Sequence, residues 1–226
     1  MPLRAIVFDF DGVIANSEPL HFRGYRDILA EEGVTLTEAD YYARYLGFDD
    51  VGAFEAVAAQ HRLAWSGARI AELVARKAVR LEALEHDVSV LFPGAADAVR
   101  RAAAAMPVAI ASGARGEEIR RVLAREHLLS CFAAIVAAED TAVSKPAPDP
   151  YLRALALLAP AFGDRLRAAE CVAIEDSHWG LDSARAAGLR TVAVTNTYRA
   201  DELAADLTIS SLQDMDLDRL AGLCSD

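Results

Sequence analysis

The chain has 226 residues, of which 54% are hydrophobic. That is enough to bury the core of one large domain, or of a core domain with a smaller partner, and it excludes a disordered protein. A formal net charge of −11 argues against a nucleic-acid-binding protein, whose footprint is a basic patch. No apolar run approaches the ~18 residues of a membrane span, and Met1-Pro2-Leu3-Arg4 carries no signal-peptide pattern. Cys131, Cys171 and Cys224 are odd in number and widely spaced, which gives neither a disulfide framework nor a zinc pattern. The expectation is a cytoplasmic protein, a monomer or weak dimer, with no membrane or nucleic-acid partner.

Arg4 to Phe10 reads as a buried strand that ends in Asp9, Asp11 and Gly12. From about Glu18 to about Val90 the chain becomes rich in Ala, Leu, Glu and Arg, with apolar residues at helical spacing, such as Tyr25, Ile28 and Leu29. Breaks near Gly33, Gly47 and Ser66-Gly67 divide this block into about four helices. Pro93-Gly94 marks a boundary. Beyond it, apolar runs at 107–111, 133–137, 171–174, 191–194 and 207–209 alternate with helical patterns at 116–126, 150–158 and 180–187. Strands alternating with helices predict an α/β fold with a doubly wound parallel sheet. The expected core domain is 1–15 with 92–226, interrupted after its first strand by a helical domain at 16–91.

Parallel strands joined by right-handed crossovers bring their carboxyl ends to one rim. Asp9 and Asp11, Ser112, and Glu175-Asp176 each fall just past a strand, and Lys145 opens the loop before a helix. Ionised carboxylates are costly to bury unless paired or bound to metal. An oxygen-only acidic cluster suits Mg²⁺, and without nearby His or Cys it fits zinc poorly. Two neighbouring acids can divide the work of phosphoryl transfer: one attacks phosphorus and the other holds the proton for the leaving oxygen. Ser112 and Gly113 would offer a hydroxyl and backbone donors to a phosphate, the helix that follows would add positive potential, and Lys145 would neutralise charge on the equatorial oxygens.

Asp9-Phe10-Asp11-Gly12-Val13, Ala111-Ser112-Gly113, Ser144-Lys145-Pro146-Ala147-Pro148-Asp149 and Ile174-Glu175-Asp176-Ser177 resemble the four motifs of the haloacid dehalogenase superfamily. The resemblance is to the phosphatase and phosphomutase branch with a helical cap after the first strand. It implies that Asp9 is the nucleophile and Asp11 the general acid/base, with Ser112 and Lys145 on the phosphate. It implies a magnesium site made by Asp9, the Asp11 carbonyl, Asp176 and Glu175. Dehalogenating members lack the second Asp, so Asp11 favours phosphoryl transfer over carbon–halogen cleavage.

Ser17 to Arg23 is similar to the first cap helix of β-phosphoglucomutases, including a histidine at His21. Those mutases carry a basic residue just past the glycine matching Gly47, where this chain has Phe48-Asp49-Asp50. An acidic pair repels a distal phosphate, although Arg44, Lys77 or Arg115 could supply the missing charge. The expected activity is therefore a Mg²⁺-dependent phosphatase of a small phosphorylated metabolite, with His21, Gly47, Gly113 and Arg115 on the substrate. A β-phosphoglucomutase-like sugar phosphomutase is the alternative.

Overall fold

In a computed structural model the described residues are 2–45, 48, 50–85 and 89–225. The chain divides into two compact units, Met1–Asn16 with Val90–Asp226, and Ser17–Ser89.

The first unit is built on a six-stranded sheet of β1 (Ala5–Phe8), β2 (Val108–Ala111), β3 (Phe132–Val136), β4 (Cys171–Glu175), β5 (Arg190–Val194) and β6 (Leu207–Ile209). Its spatial order is β3-β2-β1-β4-β5-β6, with every pair parallel. The unit's helices are α5 (Ala95–Ala105), α6 (Gly116–Arg125), α7 (Asp149–Leu158), α8 (His178–Ala186) and α9 (Leu217–Leu223), the second unit contributing α1 to α4 below. α9, a short helix capped by Asp216, is not among the helical patterns read from the sequence.

Strands covered on both faces cannot alternate apolar with polar, but they alternate small with large. Ala5, Val7, Ala109, Ala111, Cys171 and Ala173 share one cluster with Tyr151, Ala154 and Leu158 of α7 and with Ala184 of α8. Small strand residues let the helices approach closely. Ile6 and Phe8 alternate with them along β1 and are fully buried, each contributing about 2 kcal/mol of transfer free energy.

The first strand ends at Phe8 rather than at Phe10. Asp9 N–H makes a last ladder bond to the Ile174 carbonyl at 2.9 Å, and Asp9 Oδ1 then accepts the Phe10 N–H at 2.7 Å. That local bond turns the chain out of the sheet. Residues 14–16 and 90–92 run side by side, with Asn16 N–H on Val90 O at 2.6 Å and Phe92 N–H on Ile14 O at 3.0 Å. The polypeptide therefore leaves and re-enters this unit at one place.

The second unit contains α1 (Glu18–Glu31), α2 (Glu38–Arg44), α3 (Asp50–His61) and α4 (Gly67–Glu85). Its core joins Tyr25, Ile28 and Leu29 of α1 to Tyr41, Phe54, Val57, Ile70 and Leu73. Thr37 caps α2 by accepting the Asp40 N–H at 3.1 Å, a bond that satisfies one of the orphan donors of the first turn.

Candidate active site

The strand order reverses direction along the chain at β1, between β2 and β4. Open α/β sheets bind ligands outside the carboxyl ends of their strands at such a switch point. The register sets Phe8 opposite Ile110 on one side and Ile174 on the other. Asp9 therefore emerges between the ends of β2 and β4, level with Glu175.

Asp9, Glu175 and Asp176 are buried, with one carboxylate oxygen of each lying within 4.8 Å of the others. Lys145 Nζ sits 3.0 Å from Asp9 Oδ1 and 2.5 Å from Glu175 Oε1. Burial raises the pKa of Asp9 well above the carboxylate range, and the Glu175 charge raises it further, while Lys145 pulls the other way. Burial and Glu175 likewise push Asp176 up to about 7, against a hydrogen bond from Thr197. Burial alone would lower the pKa of Lys145, but the charges of Asp9 and Glu175 outweigh it and hold the pKa above the usual lysine value.

Glu175, one of the three clustered carboxylates, also has partners of its own. Its Oε1 accepts from Lys145 and from the Tyr151 hydroxyl at 2.7 Å, and its Oε2 accepts the Asp176 N–H at 3.2 Å and the Ser177 hydroxyl at 3.3 Å. The carboxylate is the counter-ion and anchor of Lys145, with Tyr151 beneath it. The first turn of α8 closes over it: a Cβ at Gly180 would fall 2.0 Å from either carboxylate oxygen. Ser177 caps that helix by accepting the Gly180 N–H at 3.2 Å. The Lys145 loop is fixed to the same helix by Ser183, whose hydroxyl donates to the Ala147 carbonyl at 2.5 Å.

The carboxylate of Asp11 is not one of the clustered three. Its main chain is ordered by a tight turn in which Gly12, at φ +77°, donates its N–H to Ala15 O at 2.9 Å. Gly12 also has to be glycine for room, since a Cβ there would lie 1.9 Å from Asp176 Oδ2.

Ser112 is buried just past β2, and its Oγ accepts the Ala114 N–H at 3.1 Å, so the hydroxyl folds the turn as well as standing at the rim. Gly113 and Arg115 are exposed on the same turn, with open space around Gly113. The helix N-terminus that follows differs from expectation. Glu139 accepts the Gly116 N–H at 3.1 and 3.3 Å, so a carboxylate already occupies the donor end of α6. The turn before the helix, rather than the helix end, is left to meet an anion.

Within the helical unit, His21 Nδ1 lies 3.0 Å from Lys77 Nζ. An ammonium only donates, so Nδ1 accepts and the ring proton of a neutral imidazole sits on Nε2. Lys77 is buried, pairs with Asp50 Oδ1 at 2.5 Å and stands 4.4 Å from the Tyr25 ring centre. Leu46, Gly47 and Asp49 lie outside the described residues.

Tyr151, Ser183, Asn196 and Thr197 are the site residues that motif reading missed. For Asn196 and Thr197 a signal existed, because both lie just past β5, where the rim rule already applied to Asp9, Ser112 and Glu175 points.

Three buried carboxylates with no histidine or cysteine among them form a hard oxygen donor set, which fits a divalent cation of the magnesium kind. No helix among the described residues is long and apolar enough to cross a membrane.

Known proteins resemble this chain along nearly its whole length. The chain is 36% identical over 224 residues to the protein CbbY of Rhodobacter capsulatus, covering 94% of this chain and 95% of that one. It is 31% identical over 222 residues to hexitol phosphatase B of Escherichia coli, covering 96% of each. Its fold matches the crystal structure of CbbY from Rhodobacter sphaeroides in complex with phosphate at a TM-score of 0.79 and 26% identity, over 95% of this chain and 96% of that one. The model of the haloacid dehalogenase-like hydrolases matches residues 3–188. This chain belongs to the haloacid dehalogenase-like hydrolase family and is an enzyme of that family with named phosphatases among its relatives.

Proposed function

We propose that this protein is a Mg²⁺-dependent phosphatase of small sugar phosphates that works through a phosphorylated Asp9. The observation that carries the reading is the buried meeting of Asp9, Lys145 and Asp176 at the switch point of the sheet, with Asp11 two residues on. Asp9 Oδ attacks phosphorus, and the bond to the ester oxygen breaks as Asp11 gives that oxygen its proton. Asp11, now ionised, takes a proton from water, whose oxygen attacks the aspartyl phosphate. Inorganic phosphate leaves, with Asp9 ionised and Asp11 protonated again. Ser112 Oγ–H and the Gly113 turn hold phosphate oxygens, and Lys145, kept charged by Glu175, neutralises them through both steps.

Asp9, Asp176 and the Asp11 carbonyl would hold Mg²⁺, with Glu175 behind them as a weaker contributor. When bound, the ion supplies positive charge that lets an anionic nucleophile approach an anionic ester. Without metal, the raised pKa values of Asp9 and Asp176 mean that the folded protein binds more protons than the unfolded chain. Stability of the chelated protein should therefore fall as pH rises from the unfolded carboxylate pKa of 3.8 towards about 7 for Asp176. The thermal shift given by Mg²⁺ should then grow between about pH 5 and about pH 8. A shift that shrinks over that interval counts against the site.

The sugar-phosphate class is supported by relatives. CbbY from Rhodobacter sphaeroides, 26% identical at a TM-score of 0.79, has been solved as a mutant with xylulose-1,5-bisphosphate, and hexitol phosphatase B carries its substrate class in its name. A β-phosphoglucomutase of Bacillus subtilis is also similar, at 26% over 228 residues. A mutase needs a cation for a second phosphate. In the helical unit Arg44 is paired with Asp40 at 3.5 Å and Lys77 with Asp50 at 2.5 Å, which favours hydrolysis over the mutase reaction.

The deciding measurement is phosphorus NMR on a panel of hexose, pentose and hexitol monophosphates, including β-glucose 1-phosphate. Inorganic phosphate should accumulate; faster accumulation of glucose 6-phosphate would replace this reading by the mutase. In the same panel Asp11→Ala should slow sugar phosphates by about 10²–10⁴-fold and p-nitrophenyl phosphate far less, because a good leaving group needs no proton. Equal slowing of both would remove Asp11 from the acid role.

A further inference from the structure

The turn that leaves β5 reaches back across the rim with two side chains. Thr197 Oγ1–H donates to Asp176 Oδ2. Asn196 Nδ2–H donates to the Gly12 carbonyl at 2.8 Å, across 184 residues of sequence. Gly12 is held from its other side too, since its N–H donates to Ala15 O. A trans peptide is planar, with C=O opposed to N–H. The Gly12 N–H bond therefore fixes the direction of the Asp11 carbonyl, and the Asn196 bond fixes the next peptide plane. The turn is itself anchored: the Tyr198 ring lies 4.8 Å from the His178 ring and packs with Leu181, Ala193 and Leu203.

We propose that Thr197 and Asn196 are positioning residues for the metal ligands, holding the Asp176 carboxylate and the Asp11–Gly12 peptide in one fixed arrangement. The inference rests on the metal reading given above. Mg²⁺ demands near-octahedral geometry at short oxygen distances. A carboxylate free to rotate about its χ angles must be ordered when the ion binds, whereas one already hydrogen-bonded is pre-set. The Thr197 hydroxyl occupies one lone pair of Oδ2 and leaves the other lone pairs of the carboxylate for the ion. Partners of this kind are worth about 10–100-fold in metal affinity. Thr197 is exposed, so the isosteric Thr197→Val removes the donor with little change in packing.

The test titrates the metal-free full chain with Mn²⁺, read by electron paramagnetic resonance of the free ion, for wild type, Thr197→Val, Thr197→Ser and Asn196→Ala. Thr197→Val is expected to weaken Mn²⁺ binding by about 10-fold or more, and Thr197→Ser to stay within about threefold of wild type. The Mg²⁺ concentration for half-maximal phosphate release should rise in step. Melting in chelator checks the fold, and if Thr197→Val does not fold, Asn196→Ala decides the matter by the same loss of affinity. Wild-type Mn²⁺ affinity in the folded Thr197→Val or Asn196→Ala protein overturns the inference. A wild-type protein that binds no Mn²⁺ overturns the metal reading instead.

Discussion

Asp9→Asn is expected to reduce phosphate release by about 10³-fold or more, since the amide cannot attack phosphorus and the nucleophile has no substitute in the proposed cycle. The loss should come without a loss of fold. Asparagine keeps the volume of Asp9, its Oδ1 can still accept from the Phe10 N–H and from Lys145, and Lys145 retains Glu175 at 2.5 Å. Stability should in fact move the other way. Burial and Glu175 raise the pKa of Asp9, so its ionised form is a burden on the metal-free protein above the unfolded pKa. The neutral variant should therefore melt above wild type in chelator at about pH 8, with the gap closing towards about pH 4 as the wild-type Asp9 takes up its proton. Steady-state phosphate release and paired melts check both halves. Wild-type turnover in Asp9→Asn would remove this residue as nucleophile. A lower melting temperature than wild type at high pH would mean that the Lys145 pairing outweighs the desolvation.

Lys145→Met is expected to damage stability and activity together. Lys145 is the cation between Asp9 and Glu175, and Glu175 is fully buried. Removing one partner from a buried charge cluster costs about 3–5 kcal/mol, because the remaining charge loses its counter-ion without regaining water. Urea unfolding at about pH 8 should reveal that loss, and it should shrink towards about pH 5 as Asp9, whose pKa burial already raises, takes up a proton. Phosphate release should fall by about 10²-fold or more, since Lys145 is the cation proposed to neutralise the equatorial oxygens. A variant as stable as wild type at high pH would show that Glu175 is satisfied by Tyr151 and Ser177 alone.

The two variants separate the chemistry of the site from its upkeep. Asp9, the proposed nucleophile, sits in surroundings that raise its pKa, which is a cost to the metal-free protein, and Lys145 limits that cost. Glu175 keeps Lys145 charged and in place, and Tyr151, Gly180 and Ser177 keep Glu175 there. The helical unit treats its own buried lysine the same way. Asp50 lies against Lys77 and has its pKa lowered by it despite burial. A lysine bound to an aspartate inside its own unit has little charge left for a distal phosphate.

Much of this was legible in the residues. The apolar runs of β1, β2, β4 and β5 could only be strands covered on both faces, because they lack polar alternation and are too short for buried helices. The alternation of strands with helical periods required a parallel sheet. A parallel sheet required that Asp9, Ser112 and Glu175-Asp176, each at the end of a strand, gather at one rim. Four helices between residues 18 and 85 followed from apolar spacing and from breaks at glycine.

What the tertiary structure alone decided are pairings between side chains far apart in sequence. Glu175 serving Lys145 over 30 residues depends on how the loop before α7 folds back, and no periodicity encodes a loop path. Glu139 on the Gly116 N–H depends on the turn after β3 lying beside the start of α6. Asn196 on Gly12 depends on strand order, which places two turns 184 residues apart along one rim. Local propensity sets which segments become strands and helices, because that free energy is summed over neighbours in the chain. Which carboxylate meets which cation is settled by register and by loop closure, which involve the whole sheet at once.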